Sequence, residues 1–548
     1  MPLNLIQGPA NSGRAELARR RFREALDREP VLVVPTVDDV FRFERELCGE
    51  GATLGGAAMT FGDLFRTVVA SAGAPAPPEL SRTQRLQAIA TAVAERRSSL
   101  GPLRGSAGRA GFARALDRLL GELQSAGLEP DAVEAAAGTL EGSAYLGDIA
   151  SLYSSYAEVC ERLGRTDSHG IARSALALLR ESAGLWADRP VFLEGFDDLT
   201  PNQLDLVEAL AGRTDVTVAL PFEPGHPALA ERTRLLQSLR DRIGIDQETP
   251  TEAAPESAEN AFLFGLERDF GADRAAPRPP GEGLTLLRSA GERGEAEAIA
   301  AVVGRLLHRG AKEDEVAIVL RDPERRGGLL ARVLESHGIA VALEAELPVS
   351  STGVGGALIA LLEAEHGTRR ATDVLRWLRG PSGVRGHTVD WLERTIRRRR
   401  LQSAEEALAA WLGKREELPR DLQRLREAGG EGLVAEAGEI ARRMAARFLA
   451  DEEDGPPPGS GDGTELRAAA TISRALAELA ELAEIAPGPE QLIGFLRGLG
   501  FRVWSGPIEG RVRIADPLRL RASRFDHVLV GSLQDGEFPK LGGSDPFL

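Results

Sequence analysis

A chain of 548 residues is too long for one hydrophobic core, and its length predicts roughly three or four domains. With 43% hydrophobic and 27% charged residues it has a globular composition, and no run of eighteen apolar residues is present that would span a membrane. A net charge of −16 excludes a protein that coats nucleic acid over its whole surface, while leaving room for a local basic groove.

The N-terminus, Met1-Pro2-Leu3-Asn4, has no basic stretch followed by an apolar core, so it does not read as a signal peptide. Residues 3–6 form a short apolar run. It leads into Gly8-Pro9-Ala10-Asn11-Ser12-Gly13-Arg14-Ala15, and a helical pattern follows. The two glycines have the spacing of a phosphate-binding loop, in which backbone N–H groups and a helix N-terminus cradle phosphate. In a chain with 61 glycines the same spacing also arises by chance. The position of the phosphate-binding lysine holds Arg14, and that of the magnesium-ligating hydroxyl holds Ala15. Only Lys312, Lys414 and Lys540 are lysines, so Arg14 fits a chain-wide preference for arginine. That preference does not account for Ala15, which cannot coordinate a metal ion.

Apolar runs that read as buried parallel strands recur at residues 3–6, 31–35, 191–193, 216–220, 284–288, 316–320, 512–514 and 528–530. Between the second and third runs, residues 80–185 have helical spacing, and residues 355–500 repeat that character between the sixth and seventh. Proline-rich breaks fall at 73–78, 275–281 and 455–461. The pattern predicts an α/β chain with two parallel-sheet cores, each interrupted by a mostly helical insertion. Residues 394–400 hold five arginines, either a solvated helix end or a phosphate contact. Cys48 and Cys160 lack metal-ligand spacing and read as idle thiols of a reducing cytoplasm.

Several segments carry a more specific signal. Val191-Phe192-Leu193-Glu194-Gly195-Phe196-Asp197-Asp198-Leu199-Thr200-Pro201-Asn202-Gln203 joins an apolar strand to Gly-Phe and Thr-Pro-x-Gln. Met59-Thr60-Phe61-Gly62-Asp63 follows the second strand, and Phe525-Asp526-His527-Val528 precedes Gly536-Glu537-Phe538-Pro539. In order and spacing these segments resemble superfamily 1 helicases of the UvrD/RecB type. The closest resemblance is to the B subunits of AddAB-type ATP-dependent helicase/deoxyribonucleases.

The resemblance implies two RecA-like cores. Residues 1–75 and 186–270 would form the first, with 76–185 as its insertion, and 271–283 would be a linker. Residues 284–350 and 508–548 would form the second, with 351–507 as its insertion. It places Gly8, Asn11, Ser12, Gly13, Arg14 and Ala15 in a degenerate nucleotide loop, and Glu194, Asp197 and Asp198 in a degenerate motif II. In an active motor an Asp–Glu pair ends that strand, the Asp holding magnesium and the Glu polarising water. Here the pair is out of register, so ATP and Mg²⁺ are expected to be bound weakly or not at all.

Thr60, Phe61, Arg288 and Arg321 become candidate contacts to DNA. Taken singly, Phe61 reads more readily as a core residue, and the other three as turn or ion-pair residues. The implied function is that of a helicase-like subunit that scans single-stranded DNA during double-strand-break repair. Its implied partners are DNA ends and an AddA-like helicase–nuclease subunit, in the cytoplasm at the nucleoid. The alternatives are a scaffold that docks the partner without touching DNA, and a weakly active helicase. The family's PD-(D/E)XK nuclease domain with its four-cysteine iron–sulfur cluster is expected beyond Leu548. The present residues carry no such site, and two cysteines cannot hold the cluster.

Overall fold

The computed structural model describes residues 3–48, 55–73, 77–109, 111–139, 144–252, 261–273, 277, 283–449, 461–504, 509–521 and 523–539. The chain falls into two compact units, one made of Met1–Leu80 and Leu116–Leu286, the other of Ser81–Ala115 and Leu287–Leu548. The first helical stretch is therefore divided, its opening segment counting with the second unit.

The first unit is built on a six-stranded parallel sheet. Its strands are β1 (Leu3–Gly8), β2 (Val31–Val33), β3 (Ala57–Met59), β4 (Val191–Glu194), β5 (Val216–Pro221) and β6 (Ile245–Pro250), in the order β3-β2-β4-β5-β1-β6. Side chains alternate between faces along each strand. Leu3, Leu5, Val31, Val33, Val191, Leu193, Val216 and Val218 pack on one side, under the helices Phe61–Ser71, Ser168–Glu181 and Pro201–Ala211. Leu32, Val34 and Phe192 face the other way, onto Phe22 and Phe43. With both faces covered, the strands read as continuous apolar runs, which is why four of them are visible in the sequence.

The second unit holds a four-stranded parallel sheet of β7 (Val316–Val319), β8 (Val341–Leu343), β11 (Val512–Ala515) and β12 (His527–Val530), in the order β12-β7-β11-β8. A short antiparallel pair, β9 (Glu346–Pro348) and β10 (Gly500–Arg502), closes the neck of the helical block between them. That block is cored by Trp377, Leu392, Leu422, Ile440, Ile472 and Leu492, among others. The two RecA-like α/β cores with helical insertions are thus the observed architecture.

One expected strand is absent among the described residues. Residues 284–288 pair with no strand, and Leu284, Leu286 and Leu287 are exposed. An apolar run becomes a buried strand only where a sheet edge takes up its N–H and C=O groups, and no described strand does so here. Most of the expected linker at 271–283 and of the break at 455–461, together with the segment after Pro539, lies outside the described residues.

Candidate functional site

The loop after β1 makes the turn that its glycines predict. Gly13 sits at the N-terminal cap of the helix Arg14–Glu24 with φ 76°, and Asn11 also lies in the left-handed region at 56°. Glycine takes such a conformation without steric cost. Gly8 is glycine for another reason: a Cβ there would collide with Thr251 and with Ser12 Oγ.

The loop is closed on itself. Ser12 Oγ donates to the Pro9 carbonyl at 2.8 Å and accepts from Thr251 Oγ1 at 2.7 Å. The Thr251 backbone N–H donates to the Gln7 carbonyl at 2.7 Å, fastening the exit of β6 to the loop. Arg14 folds back, and its Nη1 donates to the carbonyls of Gly8 at 2.6 Å and Pro9 at 3.1 Å. Burial holds the Arg14 guanidinium below the usual arginine range, with Arg232 adding to that effect and Glu194 and Asp197 opposing it.

The carboxylates of the expected motif II are also engaged. Glu194 ends β4 at 6% exposure and meets Arg19 through two bonds, Nη2 to Oε1 at 2.8 Å and Nε to Oε2 at 3.3 Å. Arg19 also binds Glu46, and its guanidinium lies 6.0 Å over the Phe43 ring. Burial alone would lower the Arg19 pKa, but the Glu194 charge and hydrogen bond raise it overall. Asp197 Oδ1 accepts two bonds from Arg232, at 2.6 and 3.0 Å. Asp198 Oδ1 accepts from the Leu199 N–H at 2.8 Å, turning the chain toward the helix Pro201–Ala211. Around the loop, Arg19 is thus paired with Glu194 and Glu46 and Arg232 with Asp197, while Arg14 is held by carbonyls.

These residues do not fit a magnesium-bound nucleotide. Ala15 offers no hydroxyl, Ser12 Oγ is spent within the loop, and two of the three candidate carboxylates, Glu194 and Asp197, are paired with arginine, while Asp198 accepts from the Leu199 N–H. Among the described residues no group of three His, Cys, Asp or Glu is placed to hold a metal ion.

The remaining candidates are spread over both units. Thr60 caps the helix Phe61–Ser71 in a reciprocal capping box with Asp63. Phe61 is buried to 5% and stands edge-on to Phe196, with ring centroids 5.0 Å apart. Arg288 and Arg321 are exposed in the second unit. Arg321 lines a cavity of about 360 Å³ at the end of β7, beside Arg325, Arg326 and Glu537. Sequence reasoning missed Arg19, Arg232 and Thr251. Only Arg19 carries a local signal, being five residues after Arg14 on the same helix.

Two parallel-sheet cores with inserted helical blocks, and a phosphate-loop turn at the end of the first strand, define a helicase-like α/β protein. The model of the AddB N-terminal family matches residues 5–238. The chain is similar to the B subunit of the ATP-dependent helicase/deoxyribonuclease of Desulforudis audaxviator, with 28% identity over 64% of this chain and 32% of the relative. The protein of the same name from Pelotomaculum thermopropionicum is 26% identical over 64% of this chain and 33% of its own length. That of Symbiobacterium thermophilum is 25% identical over 72% and 37%. The chain therefore spans about a third of the length of these relatives.

Proposed function

We propose that the chain is the helicase-like part of a subunit of an ATP-dependent helicase–nuclease in recombinational DNA repair, and that it grips and scans a DNA strand without hydrolysing ATP. Arg14 carries this reading. A guanidinium bonded to its own loop carbonyls, in a loop with no metal-binding hydroxyl, has lost the phosphate-gripping role of the usual lysine. Glu194 supports it as well, because a carboxylate held by Arg19 is not free to activate water.

In this reading the fold is retained for its surface. Thr60 follows β3, Arg321 follows β7, and Arg288 precedes the first helix of the second core; these residues contact single-stranded DNA or its duplex end, whereas Phe61, 5% exposed, belongs to the core of the first unit. The division at residues 1–75, 186–270, 284–350 and 508–548 into cores, with insertions between, belongs to the same proposal. So does a heterodimer with an AddA-like helicase–nuclease subunit in the cytoplasm.

The test combines purified chain, ATP, magnesium and a labelled single-stranded oligonucleotide. The reading expects salt-dependent DNA binding, weakened by Arg321→Ala, with no stimulated phosphate release. Turnover of several per second, or no DNA binding at any salt concentration, overturns it.

A further inference from the structure

The densest basic run of this acidic protein lies outside the sheet core of its own unit, on the helix Gly386–Arg399 in the helical block of the second unit. Thr388, Val389, Leu392, Thr395 and Ile396 form its buried side. At 3.6 residues per turn Trp391, Arg394 and Arg398 share one outer stripe, spaced by three and four residues. Arg399 and Arg400 add two more arginines at the helix end, off that stripe, where Arg400 turns left-handed at φ 56°.

The arginines divide into two groups. Arg397 and Arg379 both bind Glu393, and Arg379 also lies 3.9 Å from Asp390, so that flank is neutralised. The other flank is cationic. Arg398, Arg399 and Arg400 are exposed and make no side-chain bond among the described residues. Arg394 donates only to the Asp390 backbone carbonyl, at 3.3 Å. Lys414 sits 4.4 Å over the Trp391 ring, and Arg415 reaches Thr388 Oγ1 at 2.9 Å, bringing two more cations to the same side. Exposed acids also lie close by, Asp390 one helical turn before Arg394 and Glu405 and Glu406 shortly after Arg400.

We propose that this flank, Arg394, Arg398, Arg399 and Arg400 with Lys414, is a docking site for the phosphate backbone of duplex DNA, separate from the strand-end residues of the cores. Unpaired arginines cost little to leave in water but gain strongly when they displace counterions from a polyanion. The stripe from Trp391 to Arg398 is about 10 Å long, and such a length of duplex presents about six phosphate charges. The choice of duplex over single strand follows from Trp391. Single-strand sites need an open aromatic face for stacking bases, and Lys414 already covers this one. The site rests on the reading of the chain as a DNA-handling protein for its choice of polyanion.

The experiment measures binding of the full chain to a labelled duplex, to a single strand of equal length and to poly-glutamate, across a salt series. Arg394→Gln, Arg398→Gln and Arg399→Gln together should lower the slope of log K against log salt on duplex by about 2.7, and weaken duplex binding at least tenfold near 0.1 M salt. The matching triple change to lysine should retain the slope, which a merely structural role would not predict. An unchanged slope on duplex overturns the proposal, as does an equal loss on poly-glutamate, which would assign the flank to an acidic protein surface. A loss confined to the single strand overturns it too. The single-strand arm with Arg321→Ala reports separately on the cores, so a failure here is distinguishable from a failure of the functional reading.

Discussion

Replacing Glu194 with alanine separates a structural carboxylate from a catalytic one. The side chain is 7% exposed and accepts two bonds from Arg19, itself only 16% exposed. Removing one member of a buried, hydrogen-bonded pair leaves the other charge desolvated, a cost of about 3–5 kcal/mol in well-buried cases. Arg19 retains Glu46, which is 39% exposed and softens the loss. The expected destabilisation is therefore about 3 kcal/mol, at the lower end of that range. In a unit of this size, that lowers Tm by roughly 6–12 °C.

The assay is thermal unfolding of Glu194→Ala, Arg19→Met and the double variant Arg19→Met with Glu194→Leu. Both single variants should fall by similar amounts, and the double should recover most of the loss, because apolar side chains of similar size replace a buried pair at little cost. Phosphate release should stay at background throughout. An unmoved Tm together with the loss of a measurable wild-type ATPase would refute the reasoning and restore Glu194 as a catalytic base.

Changing Arg14 to Lys and Ala15 to Thr together should raise nucleotide affinity in a binding titration without producing turnover, because Glu194 stays paired with Arg19. Gly13→Ala should cost about 1 kcal/mol, since only its left-handed backbone resists a side chain; Gly8→Ala should cost more in the same denaturant series, since its Cβ would collide with Thr251 and Ser12. Burial raises the Glu267 pKa, so its carboxyl holds a proton to higher pH when folded than when unfolded, and the cost of its charged form is absent below the unfolded pKa and complete once pH has risen through the folded value. Glu267→Gln should therefore stabilise at pH 7 by well under about 1 kcal/mol, with the gain vanishing below the ordinary carboxylate pKa of about 4.3, as read from unfolding at the two pH values.

The strands legible in the sequence are those buried on both faces. Residues 31–33, 191–194, 216–221 and 316–319 are continuous apolar runs because helices cover their sheets on each side. β3 is a half-buried Ala-Ala-Met and β6 a mostly exposed Ile-Asp-Gln-Glu-Thr-Pro, and neither shows such a run. Residues 284–288 show the converse failure: the apolar pattern is present, but no described edge receives it. The loop turn was legible because Gly8 and Gly13 are local requirements of backbone geometry. The partners of its charges were not, since Arg19 meets Glu194 across 175 residues and Thr251 meets Ser12 across 239. Spacing rules carry no information at that range.

The self-closure of the loop follows from replacing a flexible point charge with a planar fork. A lysine can stand off its loop and keep all three donors for an incoming phosphate, but a guanidinium at the same place is longer and more rigid. Once buried against β1 it must find acceptors, and the nearest are the carbonyls of Gly8 and Pro9. Its Nε still has no partner, so the site is held together at some cost in unsatisfied polarity. That cost is offset by the surrounding ion pairs of Arg19 with Glu194 and Arg232 with Asp197, which need no ligand to be complete. A nucleotide drawing on the positions of Arg14 and Ser12 would have to break the Arg14 bonds to the loop carbonyls and free Ser12 from Thr251. The turn persists because β1 and the helix behind it are packed around it, and Arg14 and Ser12 brace it from within.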